Sequence, residues 1–471
     1  MHARLPKVAL IAILCLLHGL ALAEKTVSSP ADTDAPTTIR LSVTPADEPK
    51  PALKHRLLPE PVELERGNAA TFYYRAMVND GPDLFGGHKS MEKFSEWTEL
   101  SAAKLPVEEV QKTLEHYQSS YAELKRATYR DSCFWEDPIR SQGYGVLLPA
   151  TQKSRAVARM LNVKAGLEIR QQRFDQALET LRVSFALGRN VAEGETLVQV
   201  LVGVAVAGVT ADRVEDFIAQ PGSPNLYWAL TALPHPFVNT RKSLSFESRI
   251  LEFSVPELRE LDKRRFSPRE VEQLFDKLTS LGDSPSSRRY SLERMLWAVV
   301  VYPRAAAFLQ AQGLSRAEIE QLPALQVILL AGWKEYQSMY QEMAKWTYVT
   351  DPAARARLDE TQKRFSRSER GAPFQPFTVV LPALGAAMAV PPRIQRHIAG
   401  LRTIEALRMY AARHQGKWPP TLSAIKDVIV PRDPESGQQF RYRLEGDKAI
   451  LDIIHPGPPD LSKSYILTIQ Q

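Results

Sequence analysis

"LVQVLVGVAVAGV", residues 197–209, is almost uniformly apolar. It is too short for a membrane helix, which needs about 20 residues. The stretch therefore predicts a helix that is buried on all sides in a protein core. Its small residues, which allow neighbouring helices to approach closely, are Gly203, Ala205, Ala207 and Gly208. Each fully buried Val or Leu contributes roughly 1.5–3 kcal/mol, so we expect this helix at the centre of the first domain.

The residues before this stretch predict a pair of helices. The packing positions of this helix pair are Leu161, Ala165, Phe174, Ala177, Leu181 and Ser184. Small and large side chains follow each other there as in a tetratricopeptide-type (TPR) hairpin, which this segment resembles. The match is partial, lacks the closing proline and has no second copy, so it predicts one antiparallel pair and not a repeat array. A plain hairpin of a helical bundle has a similar pattern.

Helical periodicity continues on both sides of this pair. Residues 66–77 and 107–127 carry apolar side chains at spacings of three and four, which is typical of amphipathic helices. Ser315 and Glu318 have the spacing of a capping box at the start of a later helix. We therefore predict a mainly α fold: a multi-helix bundle with one TPR-like hairpin, plus a small α+β C-terminal module.

The chain begins with the pattern of a signal peptide over residues 1–23. Arg4 and Lys7 precede an apolar run over 8–22, and Ala23 ends a small-residue cleavage site. The run is shorter than the roughly 20 residues that span a bilayer, so cleavage is expected, and an uncleaved anchor is the alternative. A periplasmic or extracellular location follows.

Composition suggests four further parts after the signal segment. Residues 24–61 are rich in Pro, Thr, Ser and Asp and are predicted to form a disordered linker. A helical domain with the TPR-like hairpin follows over 62–222, and a second helical region over 223–372. The α+β module occupies 373–471.

Cysteine content and charge limit the possible functions. Loss of the signal peptide removes Cys15 and leaves Cys133 as the one thiol, so no internal disulfide can form. Carboxylates next to Cys133 disfavour a thiolate, so we predict a buried packing cysteine. The formal charge of +6 includes Arg4 and Lys7, and their removal leaves +4. That is too little, over this length, to indicate nucleic-acid or anionic-lipid binding.

The C-terminal module has a sequence of local signals. An amphipathic helix over 393–416 ends at a glycine and is followed by Trp418 and two prolines. Thr421 opens a predicted short helix over 421–429, and a β-hairpin follows over 440–453. We expect Trp418 to pack over the hairpin. The side chains predicted to face inward are Phe440, Tyr442, Leu444, Ala449, Leu451 and Ile453.

This module resembles a known family. "ALRMYAARHQGKWPPTLSAI" (406–425) and "PRDPESGQQFRYR" (431–443) follow the order found in the major pseudopilins of type II secretion. The resemblance implies a compact fold over 402–453. Pseudopilins bind calcium in an acidic loop after these strands, but here Asp460 is the only carboxylate at that place. Their assembly helix is N-terminal, whereas this module ends a large helical chain, so polymerisation is not expected.

Earlier segments resemble a different group. "NAATFYYRA" (68–76), "LEIRQQRFDQAL" (167–178) and "LPALQVILLAGWKEYQSMYQEMAKW" (322–346) are similar to exported helical proteins common in planctomycete bacteria. That group has no assigned activity, so the resemblance implies a fold and a location only.

Motifs for chemistry are missing from the sequence. There is no HExxH, P-loop, GxSxG or paired CxxC. Ser101 with Lys104 and Ser423 with Lys426 match Ser-x-x-Lys by chance. His397 and His414 share a predicted helix but lie about 25 Å apart along it. We therefore predict no catalytic, cofactor-binding or metal-binding residues.

The sequence favours a non-enzymatic protein-binding or scaffold component of the cell envelope. Its expected partners are proteins there, with no nucleic acid, and with membrane contact only through an uncleaved signal segment. The alternative is an envelope hydrolase whose site is assembled across helices.

The signal segment leads to a direct test. We expect the secreted protein to begin at Glu24, because cleavage follows Ala23. N-terminal sequencing of the exported form measures this. A membrane-bound product that keeps Met1 would show that the segment is an anchor.

Overall fold

A long helix that begins at Leu197 lies at the centre of a mainly helical molecule. The computed structural model describes residues 36–79, 88–143, 146, 148–281, 291–349, 353–369, 390–455 and 462–470. The helices of this part of the chain are α1 Ala69–Asn79, α2 His88–Thr98, α3 Val107–Glu115, α4 Gln118–Thr128, α5 Ile139–Gln142, α6 Pro149–Arg170, α7 Phe174–Ala192, α8 Leu197–Ala219, α9 Tyr227–Thr231, α10 Arg241–Ser254, α11 Pro268–Leu281, α12 Ser291–Ala311, α13 Arg316–Glu320, α14 Ala324–Ala344, α15 Ala353–Glu369 and α16 Pro391–Arg413. The strands are β1 Thr37–Val43, β2 Glu65–Asn68, β3 Arg130–Ser132, β4 Arg441–Glu445, β5 Lys448–Ile453 and β6 Lys463–Ile469. The predicted mainly α fold with a small α+β part near the C-terminus is confirmed.

Helix α8 is the predicted apolar helix, extended by ten residues beyond 209. It begins at a capping box, in which the Thr196 hydroxyl accepts from the Gln199 N–H and the Gln199 side chain accepts from the Thr196 N–H. By length and composition alone α8 could cross a membrane, but 72% of its most apolar window is buried inside the protein. Burial is thus confirmed for most of α8, but the predicted burial on all sides is wrong, because Ala205, Gly208 and Val209 are only partly buried.

The small residues of α8 have two different surroundings. A Cβ added at Gly203 would lie 2.7 Å from the Ala192 amide nitrogen and would also collide with the Gly188 carbonyl oxygen. Gly203 therefore allows close contact with α7. Gly208, by contrast, has open space where a Cβ would stand, so only part of the predicted set serves close packing.

Helices α6 and α7 form the predicted pair. The turn at 171–173 joins them, and they pack against each other and against α8. Five of the six predicted packing residues are buried, and Phe174 is partly buried. The helix pair is therefore present, while the TPR-like description stays a prediction.

Four strands form one sheet in the order β1-β6-β5-β4. Strands β4 and β5 are the predicted hairpin, with Gly446 at φ +63° in its turn. Strand β6 runs antiparallel to β5 and parallel to β1. Strands β2 and β3 form a separate parallel pair.

The prediction of a disordered linker over 24–61 is wrong from residue 36 onward; residues 24–35 lie outside the described part of the chain. Strand β1 buries Leu41 and Val43 in the core and pairs with β6 along its whole length. The alternation of apolar residues was a strand signal. The polar, proline-rich composition of this segment obscured that signal. The partner strand, moreover, lies more than 400 residues away.

Trp418 packs over the hairpin, as predicted. Its Nε1 donates to the Asp447 carbonyl at 3.0 Å, and the Tyr442 hydroxyl donates to the Pro419 carbonyl at 2.8 Å. Leu444 was predicted to face inward but is 41% exposed, because β4 is an edge strand.

The predicted short helix over 421–429 is wrong. Only one 3₁₀ turn, Leu422–Ala424, forms there, and the Thr421 side chain does not cap it. The segment buries Leu422, Ile425 and Val428. Packing against the core therefore outweighs local helix propensity.

Arg408 of α16 is fully buried and makes five hydrogen bonds. Its Nη1 donates to both carboxylate oxygens of Glu405, at 3.0 and 2.9 Å. Its Nε donates to the Thr44 carbonyl, and its Nη2 donates to the carbonyl and hydroxyl of Ser223. Burial raises the pKa of Glu405, and Arg408 opposes that effect. A single side chain thus joins α16, the end of α8 and the segment after β1.

The two glycines of α8 predict opposite effects of the same substitution. Gly203→Ala should lower the free energy of unfolding by about 2 kcal/mol, because its Cβ meets backbone atoms of α7. Gly208→Ala should raise that free energy by up to about 1 kcal/mol, because alanine favours helix and meets no atom. Urea unfolding of both variants measures the difference. Equal effects would contradict the described packing of α8.

Candidate functional site

Charged side chains from three elements meet where α8, α16 and β6 come together. Glu215 Oε1 accepts hydrogen bonds from His397 Nε2 at 2.7 Å, Lys463 Nζ at 2.9 Å and the Tyr465 hydroxyl at 2.6 Å. Asp212 Oδ1 accepts from the same Lys463 Nζ at 2.8 Å. We call Asp212, Glu215, His397, Lys463 and Tyr465 the ion network.

Local structure explains this convergence. Asp212 and Glu215 are three residues apart on α8 and therefore share one side of the helix. Lys463 and Tyr465 are two apart on β6 and share one face of the sheet. His397 lies in the second turn of α16, which packs against α8.

Burial and neighbouring charges shift the pKa values of three groups in the ion network. Burial alone would raise the pKa of Glu215, but the Lys463 ammonium and the hydrogen bonds from His397 and Tyr465 hold that pKa well below its usual value. Burial opposes the charge of Lys463, yet Asp212 and Glu215 raise its pKa well above the ordinary lysine value. Burial and the neighbouring Glu215 also raise the pKa of Tyr465. The buried Glu215 and the partly buried Lys463 are therefore a charged pair at neutral pH.

Asp212, Glu215 and His397 have the composition of a divalent-metal site. One ligand atom from each lies within 4.8 Å of the others. The Lys463 Nζ, however, lies within hydrogen-bond distance of both carboxylates. Since an ammonium already supplies the positive charge there, these residues fit a metal poorly while Lys463 is present.

A cavity of about 270 Å³ lies beside the ion network; we call it the cleft. Its apolar floor is formed by Ala205, Gly208, Val209, Val390, Ile394 and Ile453. In the middle of α8, only the side that carries Ala205, Gly208 and Val209 is left uncovered by the core. The central helix of the fold therefore also forms the floor of a cavity.

Polar groups also line the cleft. They include Glu99, Asp212, Arg393, Arg396, His397, His455 and Lys463. Burial and the charge of Asp212 raise the pKa of Glu99, and Arg159 opposes them. Glu99 thus holds its proton more strongly than an ordinary glutamate.

Arg396 is a buried cation at this cleft. Its Nε and Nη2 donate to Asp433 at 3.0 and 3.2 Å, and Nη2 also pairs with Glu435. Asp433 thereby connects the 433–437 turn to α16. The remaining Arg396 Nη1 is buried and hydrogen-bonds to none of the described residues.

A larger open groove, about 710 Å³, lies between the α3–α4 segment and α6; we call it the glutamine groove. Its exposed rim consists of Gln111, Glu115, Gln118, Gln171 and Arg173. Its floor consists of Leu114, Tyr117, Tyr121, Met160 and Leu167. Lys164 Nζ lies 4.5 Å from the centre of the Tyr121 ring, and the Tyr121 hydroxyl hydrogen-bonds to Thr180. The groove therefore combines a polar rim with a fixed apolar and aromatic floor.

The histidine, cysteine, serine and lysine residues considered from the sequence lie in different parts of the structure. His397 belongs to the ion network and His455 to the cleft. The His414 ring stacks on the Tyr410 ring, with 3.7 Å between the two ring centres. Cys133 is buried, and its pKa is raised by burial and by Glu193, so the predicted packing role is confirmed. The serine and lysine residues of both Ser-x-x-Lys matches are exposed. Sequence reasoning did not find the ion network, because its members come from distant segments.

No family model, no curated protein and no solved structure matches the chain. The likenesses to pseudopilins and to exported planctomycete proteins therefore stay predictions.

Lys463→Met tests the role of the ammonium in the ion network. We expect the free energy of unfolding to fall by about 2 kcal/mol, because the buried Glu215 carboxylate loses the cation that pairs with it. We also expect Zn²⁺ to stabilise this variant, since Asp212, Glu215 and His397 then offer three ligands without a competing charge. Urea unfolding with and without Zn²⁺ measures both effects.

Lys448→Met, at an exposed position of β5, is the matched control and should show neither effect. If Zn²⁺ stabilised the wild-type protein as strongly as Lys463→Met, Lys463 would not be the cation that occupies this network.

Proposed function

We propose that this protein is an exported, non-enzymatic component of the cell envelope that binds an extended segment of a partner protein. The observation that carries the proposal is the glutamine groove. The signal-peptide pattern over residues 1–23 supports a periplasmic or extracellular location.

The rim of the groove suits a peptide backbone. Each glutamine side chain carries one carbonyl acceptor and an NH₂ donor, the same pair of functions that a peptide group carries. Gln111, Gln118 and Gln171 are all exposed around the same groove. Three such amides can pair with peptide groups of one extended segment without selecting its side chains.

The floor of the groove suits apolar side chains. In an extended segment alternate side chains point to the same side, so one set would face Leu114, Tyr121 and Met160. Methionine and tyrosine are common at protein-binding surfaces, because one adapts its shape and the other offers a large rigid face. The volume of about 710 Å³ lies within the range of ordinary binding pockets.

An exposed apolar face of α12 also favours a protein partner. Met295, Leu296, Val299 and Val300 are each at least 60% exposed on this helix. Contiguous apolar residues on a surface are typical of contact sites.

A hydrolase is the alternative function, and the raised pKa of Glu99 beside Asp212 is the observation in its favour. His397, the nearest candidate base, hydrogen-bonds to Glu215 and approaches Asp212. Among the described residues, no hydroxyl or thiol hydrogen-bonds to His397. Binding is therefore the better supported function.

Site-specific crosslinking in intact cells tests the groove. We expect p-benzoylphenylalanine at position 118, on the exposed rim, to give a discrete adduct whose partner can be identified by mass spectrometry. The same group at position 316, an exposed site on α13, should not give it. Adding Leu114→Asp should abolish the adduct, because a charge in the floor opposes apolar contact.

Leu114→Met is the matched control and should keep both the adduct and the melting temperature. An identical adduct from position 316, or one that survives Leu114→Asp in a folded protein, would contradict binding at the groove.

A further inference from the structure

Another cavity, about 470 Å³, lies between α10, the end of α14 and the 3₁₀ turn Lys345–Tyr348; we call it the arginine groove. It shares no lining residue with the glutamine groove or with the cleft. We propose that it binds the carboxylate of a sugar acid. The charge of the groove, one open edge of the Arg241 guanidinium and the mixed character of the wall lead to this class of ligand.

The charge of the arginine groove selects an anion. Its described lining residues include two cations, Arg241 and Lys345, and no carboxylate. Lys345 is already paired, because its Nζ lies 2.6 Å from Glu342 Oε2, and Arg364 approaches the same carboxylate at 3.8 Å. Arg241, by contrast, forms no ion pair with any residue in the described part of the chain. An anionic ligand would supply the partner that this guanidinium lacks.

Arg241 is held in place on two sides. Its Nε and Nη2 both donate to the Thr347 carbonyl, at 3.1 and 3.0 Å, and its guanidinium carbon lies 4.7 Å from the centre of the Tyr348 ring. Thr347 and Tyr348 also line the groove, so the guanidinium forms part of its wall. Because the side chain is already ordered, it has little freedom left to lose when a ligand binds.

One edge of this guanidinium is open. The bonds to Thr347 use Nε and one hydrogen of Nη2, which leaves the edge formed by Nη1 and the second Nη2 hydrogen. Arg241 Nη1 donates to none of the described residues and keeps contact with solvent. Two parallel N–H groups on one edge match the two oxygens of a carboxylate. A phosphate carries up to two charges, so a single unpaired cation suits it less well.

The rest of the wall suits a sugar ring, which has a face of C–H groups and a rim of hydroxyls. Ser245 and Gln341 are exposed at the groove, and their hydroxyl and amide groups can pair with such hydroxyls. The Ser248 hydroxyl donates to the Ser245 carbonyl and keeps its lone pairs as acceptors. Leu244 and the Tyr348 ring, which is 65% exposed, supply apolar contact area.

Calorimetric titration of the whole mature protein tests this proposal with D-glucuronate and D-galacturonate. D-Glucuronamide and D-galacturonamide are the matched probes, because they keep every hydroxyl and replace the carboxylate with a neutral amide. We expect at least one uronate to bind at least about tenfold more tightly than its amide, because the amide lacks the charge and one of the two acceptors for Arg241. Equal binding of acid and amide, or no binding of either uronate at millimolar concentration, would overturn the proposal.

Acetate and inorganic phosphate test the body and the anion of the ligand separately. We expect each to bind at least about tenfold more weakly than the better uronate, since acetate has no ring and phosphate lacks a second unpaired cation. Acetate that bound as tightly as the uronate would show that the ring adds nothing. Phosphate that bound more tightly would show a phosphate site. Either result would contradict the proposal.

Two variants locate the site. Arg241→Lys keeps a positive charge but lacks the planar edge, so it should weaken uronate binding at least about tenfold. Ser245→Trp places a large side chain in the groove from an exposed position and should abolish binding. Arg249→Lys is the matched control, because Arg249 is an exposed arginine of the same helix that does not line the groove; it should leave binding unchanged.

A folded Ser245→Trp protein that bound the uronate as the wild type does would show that the ligand lies outside the arginine groove. Leu114→Asp in the glutamine groove should leave uronate binding unchanged. Loss of binding in that variant, if it is folded, would also overturn the assignment. Crosslinking at position 118 reports on the glutamine groove alone, so failure of one proposal can be told from failure of the other.

Discussion

The buried guanidinium of Arg408 is the contact on which the arrangement of the chain depends. A charge without water is tolerated in a core only when every donor finds an acceptor. Glu405, Thr44 and Ser223 supply those acceptors, so α16, the segment after β1 and the turn after α8 must come together for all of the donors to be satisfied. Because α16 is held in this way, His397, which lies on the same helix, has a fixed position against α8. The geometry of the ion network is thus a consequence of a structural contact several turns away.

Helix α8 joins the core to the candidate site. Gly203 allows one side of α8 to contact α7 closely. Gly208 lies instead beside open space. The helix ends in charged residues that a fully buried helix could not accommodate without partners. Asp212 and Glu215 find those partners on α16 and β6. Core and cleft therefore share the same backbone, and a substitution in α8 can be assigned to one or the other by the side on which it falls.

The sequence was sufficient for features that depend on neighbouring residues. Local patterns predict four of them: the apolar helix α8, the α6–α7 pair, the hairpin of β4 and β5 and the placement of Trp418. Features that depend on distant partners were missed: β1 was hidden by a polar, proline-rich composition, and Lys463 meets Glu215 across 248 residues. One local signal was available, because charges at the end of a helix predicted to be buried require partners. It could indicate that a polar site exists, but a single sequence could not name its members.

The parallel pairing of β1 with β6 also sets a time order for folding. Strand β1 is among the first described residues to be synthesised, and its partner is among the last. At about 5–20 residues per second, the unpaired edge of β1 waits roughly 20–80 s for its partner. During that interval an unpaired strand with apolar Leu41 and Val43 is open to pairing with other chains. Pro45, Pro49 and Pro51 follow the strand and lack the backbone N–H that would extend such pairing beyond Val43.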